Sequence, residues 1–116
     1  MTINGVELDF NLYDAENAEM QKRYEAELFK MQNIAEEQKQ IQGAAEQTRF
    51  LCQRIKTMFD NVFGKGTGTA VCGEKNDIMI CIDAYEKLVS DQVRQNKQYQ
   101  AILNRIKRNG NRRNKK

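Results

Sequence analysis

From Val6 to Leu12 the chain alternates, with Val6, Leu8, Phe10 and Leu12 apolar and Glu7, Asp9 and Asn11 polar between them. A period of two predicts a half-buried strand. Asn4-Gly5 precedes it, and both residues tolerate the positive φ of a tight turn. Ile3 is therefore placed to open a minimal hairpin. The period changes after Asp14, a residue suited to capping a helix because its carboxylate accepts from the first free backbone N–H groups. Met20, Tyr24, Leu28, Met31, Ala35 and Ile41 then follow at helical spacing. Gly43 costs about 1 kcal/mol relative to Ala inside a helix and marks either a kink or, the preferred reading, a break between two helices. Leu51, Ile55, Met58, Phe59, Val62 and Phe63 form a wider apolar face that ends at Gly64, a natural helix terminator.

Gly64, Gly66, Gly68 and Gly73 make the next stretch irregular, with one apolar turn at Ala70, Val71 and Cys72. Asn76 is placed to cap the last helix, with Asp77 at its positive end. Ile78, Ile82, Tyr85, Val89, Val93, Asn96, Tyr99, Leu103 and Ile106 trace that helix, and Leu88 and Ile102 broaden it. This stripe spans about 29 residues, or roughly 40 Å at 1.5 Å per residue. Its second half is poor in apolar residues, and no apolar residue follows Arg108. The pattern thus predicts an all-α, α-dominated fold with three to four helices and a short N-terminal β-strand or hairpin. Residues 1–108 form a single helical domain and residues 109–116 a disordered basic tail.

Composition sharpens this picture. The 116 residues include no Pro, Trp or His, and the mean hydropathy is -0.80, which fits narrow apolar stripes beside wide polar faces. The net charge of +3 conceals a split. Residues 1–91 hold all 16 acidic groups against 10 basic ones, whereas residues 92–116 hold nine basic groups and no acid. An acidic body therefore carries a basic end, and partners are able to read either pole. No run of 18 apolar residues exists, so no membrane span is expected, and no secretory signal is visible. Cys52, Cys72 and Cys81 are expected to be reduced core thiols in a cytosolic protein.

Chemistry-bearing motifs are sparse. Gly64-Lys65-Gly66-Thr67-Gly68-Thr69 follows a predicted helix rather than a strand, and Lys65 is not followed by Ser or Thr, so it fails as a phosphate loop. No His serves as a base at neutral pH, the cysteines have no His partner, and no metal-ligand spacing is present. No enzyme activity, catalytic residue, metal or cofactor is expected. The basic end is a candidate for nucleic acid or an acidic protein, but it has no aromatic residue for base stacking. Tyr24, Leu28, Phe29 and Met31, on a helix otherwise rich in Gln and Glu, form an adaptable apolar face and are the candidate partner-binding residues.

One block has a recognisable layout: Ile55-Lys-Thr-Met-Phe-Asp-Asn-Val-Phe-Gly64-Lys-Gly-Thr-Gly-Thr69, then Val71-Cys-Gly-Glu-Lys-Asn76, then Ile82-Asp-Ala-Tyr-Glu-Lys-Leu-Val89. Together with the opening Ile3-Asn-Gly-Val-Glu-Leu-Asp-Phe10, it resembles small helical tail-region proteins of phages and prophages of low-GC Gram-positive bacteria. These are similar in size and layout to tail assembly chaperones. The resemblance implies a phage tail assembly chaperone acting in the host bacterial cytoplasm. Its partners would be the tape measure protein and the major tail protein, and homo-oligomers are possible. The alternative it leaves open is a virion structural or connector protein that oligomerises through its N-terminal strand and stays in the particle.

Overall fold

The computed structural model describes residues 1–114. Asn4 and Gly5 both take positive φ (49° and 82°), closing an antiparallel hairpin of β1 (Thr2–Ile3) and β2 (Val6–Glu7). The register pairs Thr2 with Glu7 and Ile3 with Val6. A 3-10 turn at Ala15–Asn17, capped by the Asp14 carboxylate, leads into α1 (Ala18–Met31). Then come α2 (Ile34–Lys39), α3 (Ala44–Phe63), α4 (Thr67–Cys72) and α5 (Ile78–Asn114). The architecture is α-dominated with an N-terminal hairpin, and its five helices exceed the three to four expected because two of them are only six residues long.

Gly43 breaks the chain as its φ of 95° requires, immediately before α3. A further interruption falls at Gln32-Asn33, where backbone bonds tighten to the i−3 carbonyls of Phe29 and Lys30. The apolar spacing gives no sign of it. Gly64, at φ 121°, ends α3, and its N–H donates to the Asp60 carbonyl at 2.9 Å. The glycine-rich stretch then folds into α4. A Cβ at Gly68 would collide with the backbone of Lys56, so the glycine is what lets α4 lie directly on α3. Asp60 fixes this contact by accepting from the Gly68 N–H at 2.7 Å.

Cys52, Ile55, Met58, Phe59 and Val62 from α3 pack against Cys81, Ala84 and Leu88 from α5. Val71 and Cys72 of α4, Met20 and Tyr24 of α1, and Ile3, Leu8 and Phe10 close the core. The expected core residues Ile55 and Phe59 are fully buried, while Leu51, Phe63, Ile78, Ile82, Tyr85 and Val89 are half-buried. The three thiols are free, and burial pushes all of them up, Cys52 to about 11. Asp77 rather than Asn76 caps α5, accepting from the Met79 N–H at 3.0 Å. Asn76 instead accepts from Gln53 at 2.9 Å and from the buried Lys56 at 3.4 Å. The Lys56 ammonium also donates to the carbonyls of Glu74 and Lys75, stitching the α4–α5 connection onto α3.

The alternating segment remains extended beyond β2, but it has no third strand beside it. Gln95 of α5 takes that place: its amide donates to the Phe10 carbonyl at 2.6 Å and accepts from the Leu12 N–H at 2.9 Å. Helix α5 runs to Asn114, into the segment expected to form the basic tail. Four of the six residues from Asn109 to Asn114 are Asn or Gly, which are poor helix formers, so propensity does not account for this extension, although Arg108 and Arg112 suit the negative C-terminal end. Residues 115–116 of the expected tail lie outside the described residues.

Glu27 is the buried acid of α1. Burial raises its carboxyl, but hydrogen bonds from Lys30, Asn61 and Arg54 outweigh that effect and hold it below the ordinary carboxylate value. Because the folded-state value lies below the unfolded one, this contribution is present above the unfolded value and is lost as pH falls through the folded one. Wild type should therefore lose urea stability as the pH drops from about 4.5 downwards, and Glu27→Gln should show a flatter profile over that range. Equal slopes would show that Glu27 carries none of the acid sensitivity. Gln95→Leu should cost roughly 1–3 kcal/mol by stranding the Phe10 carbonyl and the Leu12 N–H. An unchanged denaturation midpoint would contradict the strand-replacing role.

Candidate protein-binding surface

Helix α5 has two halves with different environments. Leu88, Gln92, Gln95, Tyr99, Ile102 and Ile106 follow at intervals of four and three, so all lie on one face. Up to Gln95 that face is covered by the body. From Asn96 to Arg112 every residue is exposed. The helix therefore leaves the body as an arm, which explains a molecule of 69 × 28 × 23 Å. The arm's apolar positions are Tyr99, Ile102, Leu103 and Ile106, and Ile106 is 62% exposed. Arg105 lies to one side of this stripe and Lys107 to the other, Arg108 and Arg112 lie toward the opposite face of the helix, and no acid follows Asp91. This is an apolar stripe with a cationic border.

The arm is held at its root. Tyr13 stacks on Tyr99 with centroids 4.2 Å apart and 15° between planes, and its hydroxyl donates to Asn96 at 2.7 Å. Arg94 pairs with Asp91 at 3.0 Å and donates to Gln98 at 2.9 Å, bracing the helix across the point where it leaves the core. These contacts set the direction of the arm without covering Ile102, Leu103 or Ile106.

The four residues expected to form the partner surface separate in the structure. Tyr24 is a core residue: it packs edge-on against Phe10 at 4.8 Å and donates its hydroxyl to Gln92 at 2.6 Å. Burial raises its phenol. Leu28 and Met31 are half-buried against the core. Only Phe29, at 69% exposure, faces solvent. The reason is helical phase. Tyr24, Leu28 and Met31 share the inward face of α1, whereas Phe29 lies one residue beyond Leu28, about 100° around the helix. The thin apolar content of the second half of α5 is the signal in the sequence that it extends beyond the core. What spacing does not contain is that the body ends at Gln95.

Among the described residues, no group of three or more His, Cys, Asp or Glu side chains is placed to hold a metal ion. No described helix is long and apolar enough to cross a membrane. The glycine-rich stretch serves helix packing: its glycines let α3 end, turn and meet α4.

An exposed stripe and a core differ in what substitution does to them. Leu103→Ser with Ile106→Ser should change stability by no more than about 0.5 kcal/mol per site. Tyr24→Ala should cost about 3–5 kcal/mol, as for other large buried side chains. Chemical denaturation of the two variants checks this. At protein concentrations too low for self-association, a large loss in the arm variant would mean that the body covers the stripe.

No curated protein and no solved structure matches the chain. A family model does match, over residues 4–116, from the hairpin turn through the body and the arm. The chain belongs to DUF6673, a family of unknown function.

Proposed function

We propose that the protein is an assembly chaperone of the phage tail type, which holds a helical client on its arm and releases it as the tail forms. One observation carries the reading: beyond the Tyr13–Tyr99 stack, Ile102, Leu103 and Ile106 continue the apolar stripe on a projecting helix, uncovered by the body and flanked by Arg105 and Lys107. An amphipathic helix recognises another by laying such a stripe against its apolar face. The cationic border favours clients with acidic flanks. The tape measure protein and tail-tube subunits are the clients implied by the resemblance of residues 55–89 to small phage tail-region proteins. The same resemblance places the work in the host cytoplasm.

The energetics suit transient holding. Three apolar side chains contribute about 1.5–3 kcal/mol each on full burial. Association opposes this with about 4–15 kcal/mol of lost freedom and ordering. The balance is a weak, reversible contact, as a chaperone absent from the finished product requires. A binding role also fits the residues better than a catalytic one, since the arm presents no base or nucleophile.

Co-expression with a phage tape measure protein should keep that protein in solution, and Leu103→Asp with Ile106→Asp should abolish capture while leaving the melting temperature unchanged. Capture should survive 1 M salt, where the Debye length is about 3 Å. A complex that dissolves steeply with salt and contains nucleic acid would point instead to phosphate contacts by the arginines. Mass spectrometry of purified particles should not find the protein. Stoichiometric presence there would overturn the chaperone reading in favour of a virion structural or connector protein.

A further inference from the structure

The body carries a second apolar surface, at the opposite end of α5 from the arm. Ala70 and Val71 of α4 and Met79 and Ile80 of α5 line an open groove of about 640 Å³, with Asn4 and Asp83 at its rim. Met79 is 76% exposed and Ile80 is 46% exposed. Large apolar side chains bared beside a concave wall mark a contact surface. Residues 74–87 around this groove carry four acidic and two basic groups, a net charge of -2.

The molecule's own arm is unable to reach this groove. Tyr99 lies 20 residues beyond Met79 on one helix, roughly 30 Å along its axis. At about 100° per residue the two positions also fall on opposite sides of the helix. No Gly or Pro occurs between Ile78 and Asn109 to bend it. Whatever fills the groove comes from another molecule.

A second copy supplies an occupant with matching chemistry. Its arm offers Ile102, Leu103 and Ile106 for the apolar floor, and Arg105 and Lys107 beside them for Asp83 at the rim, which also pairs with Lys87 at 2.9 Å, and for the net negative charge of residues 74–87. Pairing arm with arm is disfavoured, because residues 92–116 carry +9 in each copy and no acid. Pairing arm with body brings that charge against a segment whose net charge is -6. We propose that the arm of one copy docks in the Val71–Met79–Ile80 groove of the next. Arm and groove are different surfaces, so the contact is head-to-tail. A head-to-tail pair retains one free arm on one copy and one free groove on the other, and the product is an open chain or a closed ring rather than a two-fold dimer. The inference rests on the arm being a protein-binding element, and it makes self-association a competitor of client binding for the same stripe.

Two variants test it by sedimentation equilibrium: a groove variant, Met79→Asp with Ile80→Asp, and an arm variant, Leu103→Asp with Ile106→Asp. Wild type should show an average mass that climbs with concentration past that of a dimer. Each variant alone should be monomeric, with self-association weakened roughly tenfold or more, as for loss of a central contact. Mixed together, the two should form a 1:1 heterodimer and nothing larger, since one intact arm and one intact groove remain. A monomeric wild type, a groove variant that still self-associates, or a mixture without heterodimer would each overturn the proposal. Disulfide trapping between one chain carrying Ile80→Cys and another carrying Ile106→Cys gives a readout that introduces no buried charge. Cross-linked heterodimer is expected, and its absence counts against the contact. The groove variant should still capture the tape measure protein. Loss of self-association with retained capture separates this inference from the chaperone reading. Failed capture in wild type beside an intact heterodimer would reject the chaperone reading alone.

Discussion

Gln95 joins the two ends of the chain, and the body closes around that junction. Leu8 and Phe10 bury their side chains, so the backbone between β2 and Leu12 enters the core without a neighbouring strand. Buried N–H and C=O groups need partners. A primary amide holds both a donor and an acceptor, and Gln95 applies both to the same segment, as a strand would. Its own position is fixed from below, because the amide also donates to Asp91 at 2.8 Å. One side chain thereby replaces a ladder, and the N-terminal segment becomes a lid on the α1–α3–α5 core.

The same residue marks where the core runs out. A chain of this size and hydropathy has enough apolar surface to cover one face of α5 for about half its length. Beyond Gln95 the helix keeps its apolar spacing but loses its neighbours. It stays helical because Gln, Lys, Arg, Leu and Ala are good formers and because cations suit the C-terminal end of the dipole. The Tyr13–Tyr99 stack anchors its first turn. Core and arm are therefore successive stretches of a single amphipathic helix, separated by where the rest of the chain stops.

Much of the fold was legible because it rests on local chemistry. The Asn4-Gly5 turn, the Asp14 cap, the breaks at Gly43 and Gly64 and the buried thiols each follow from one residue's conformational or solvation preference. What was missed depends on tertiary contacts. Asn76 and Asp77 are both good caps, and the structure uses Asp77 because Asn76 is engaged by Gln53 and Lys56. Gln95, Glu27 and Lys56 are polar, so a hydrophobic pattern assigns them to the surface, although each is buried with its hydrogen bonds satisfied. The partner surface was sought on α1, where apolar residues among Gln and Glu stand out, yet Tyr24 belongs to the core. Periodicity identifies a face but does not say whether anything lies against it.

Charge segregation makes the exposed stripe tolerable. A bare apolar face of three side chains invites aggregation, and like charge on every copy's arm opposes its pairing with itself. The acids are confined to residues 1–91, so the surfaces that attract the arm are the body of another copy or an acidic client. Attraction alone would admit any acidic protein. The apolar spacing adds the second condition, since only a partner with its own apolar face removes Ile102, Leu103 and Ile106 from water. In the proposed contact, cations would exclude the wrong partner and aliphatic side chains would retain the right one, dividing selectivity between them. That division requires the two kinds of residue to share one helix while the acids stay on the body, which is how this sequence distributes them.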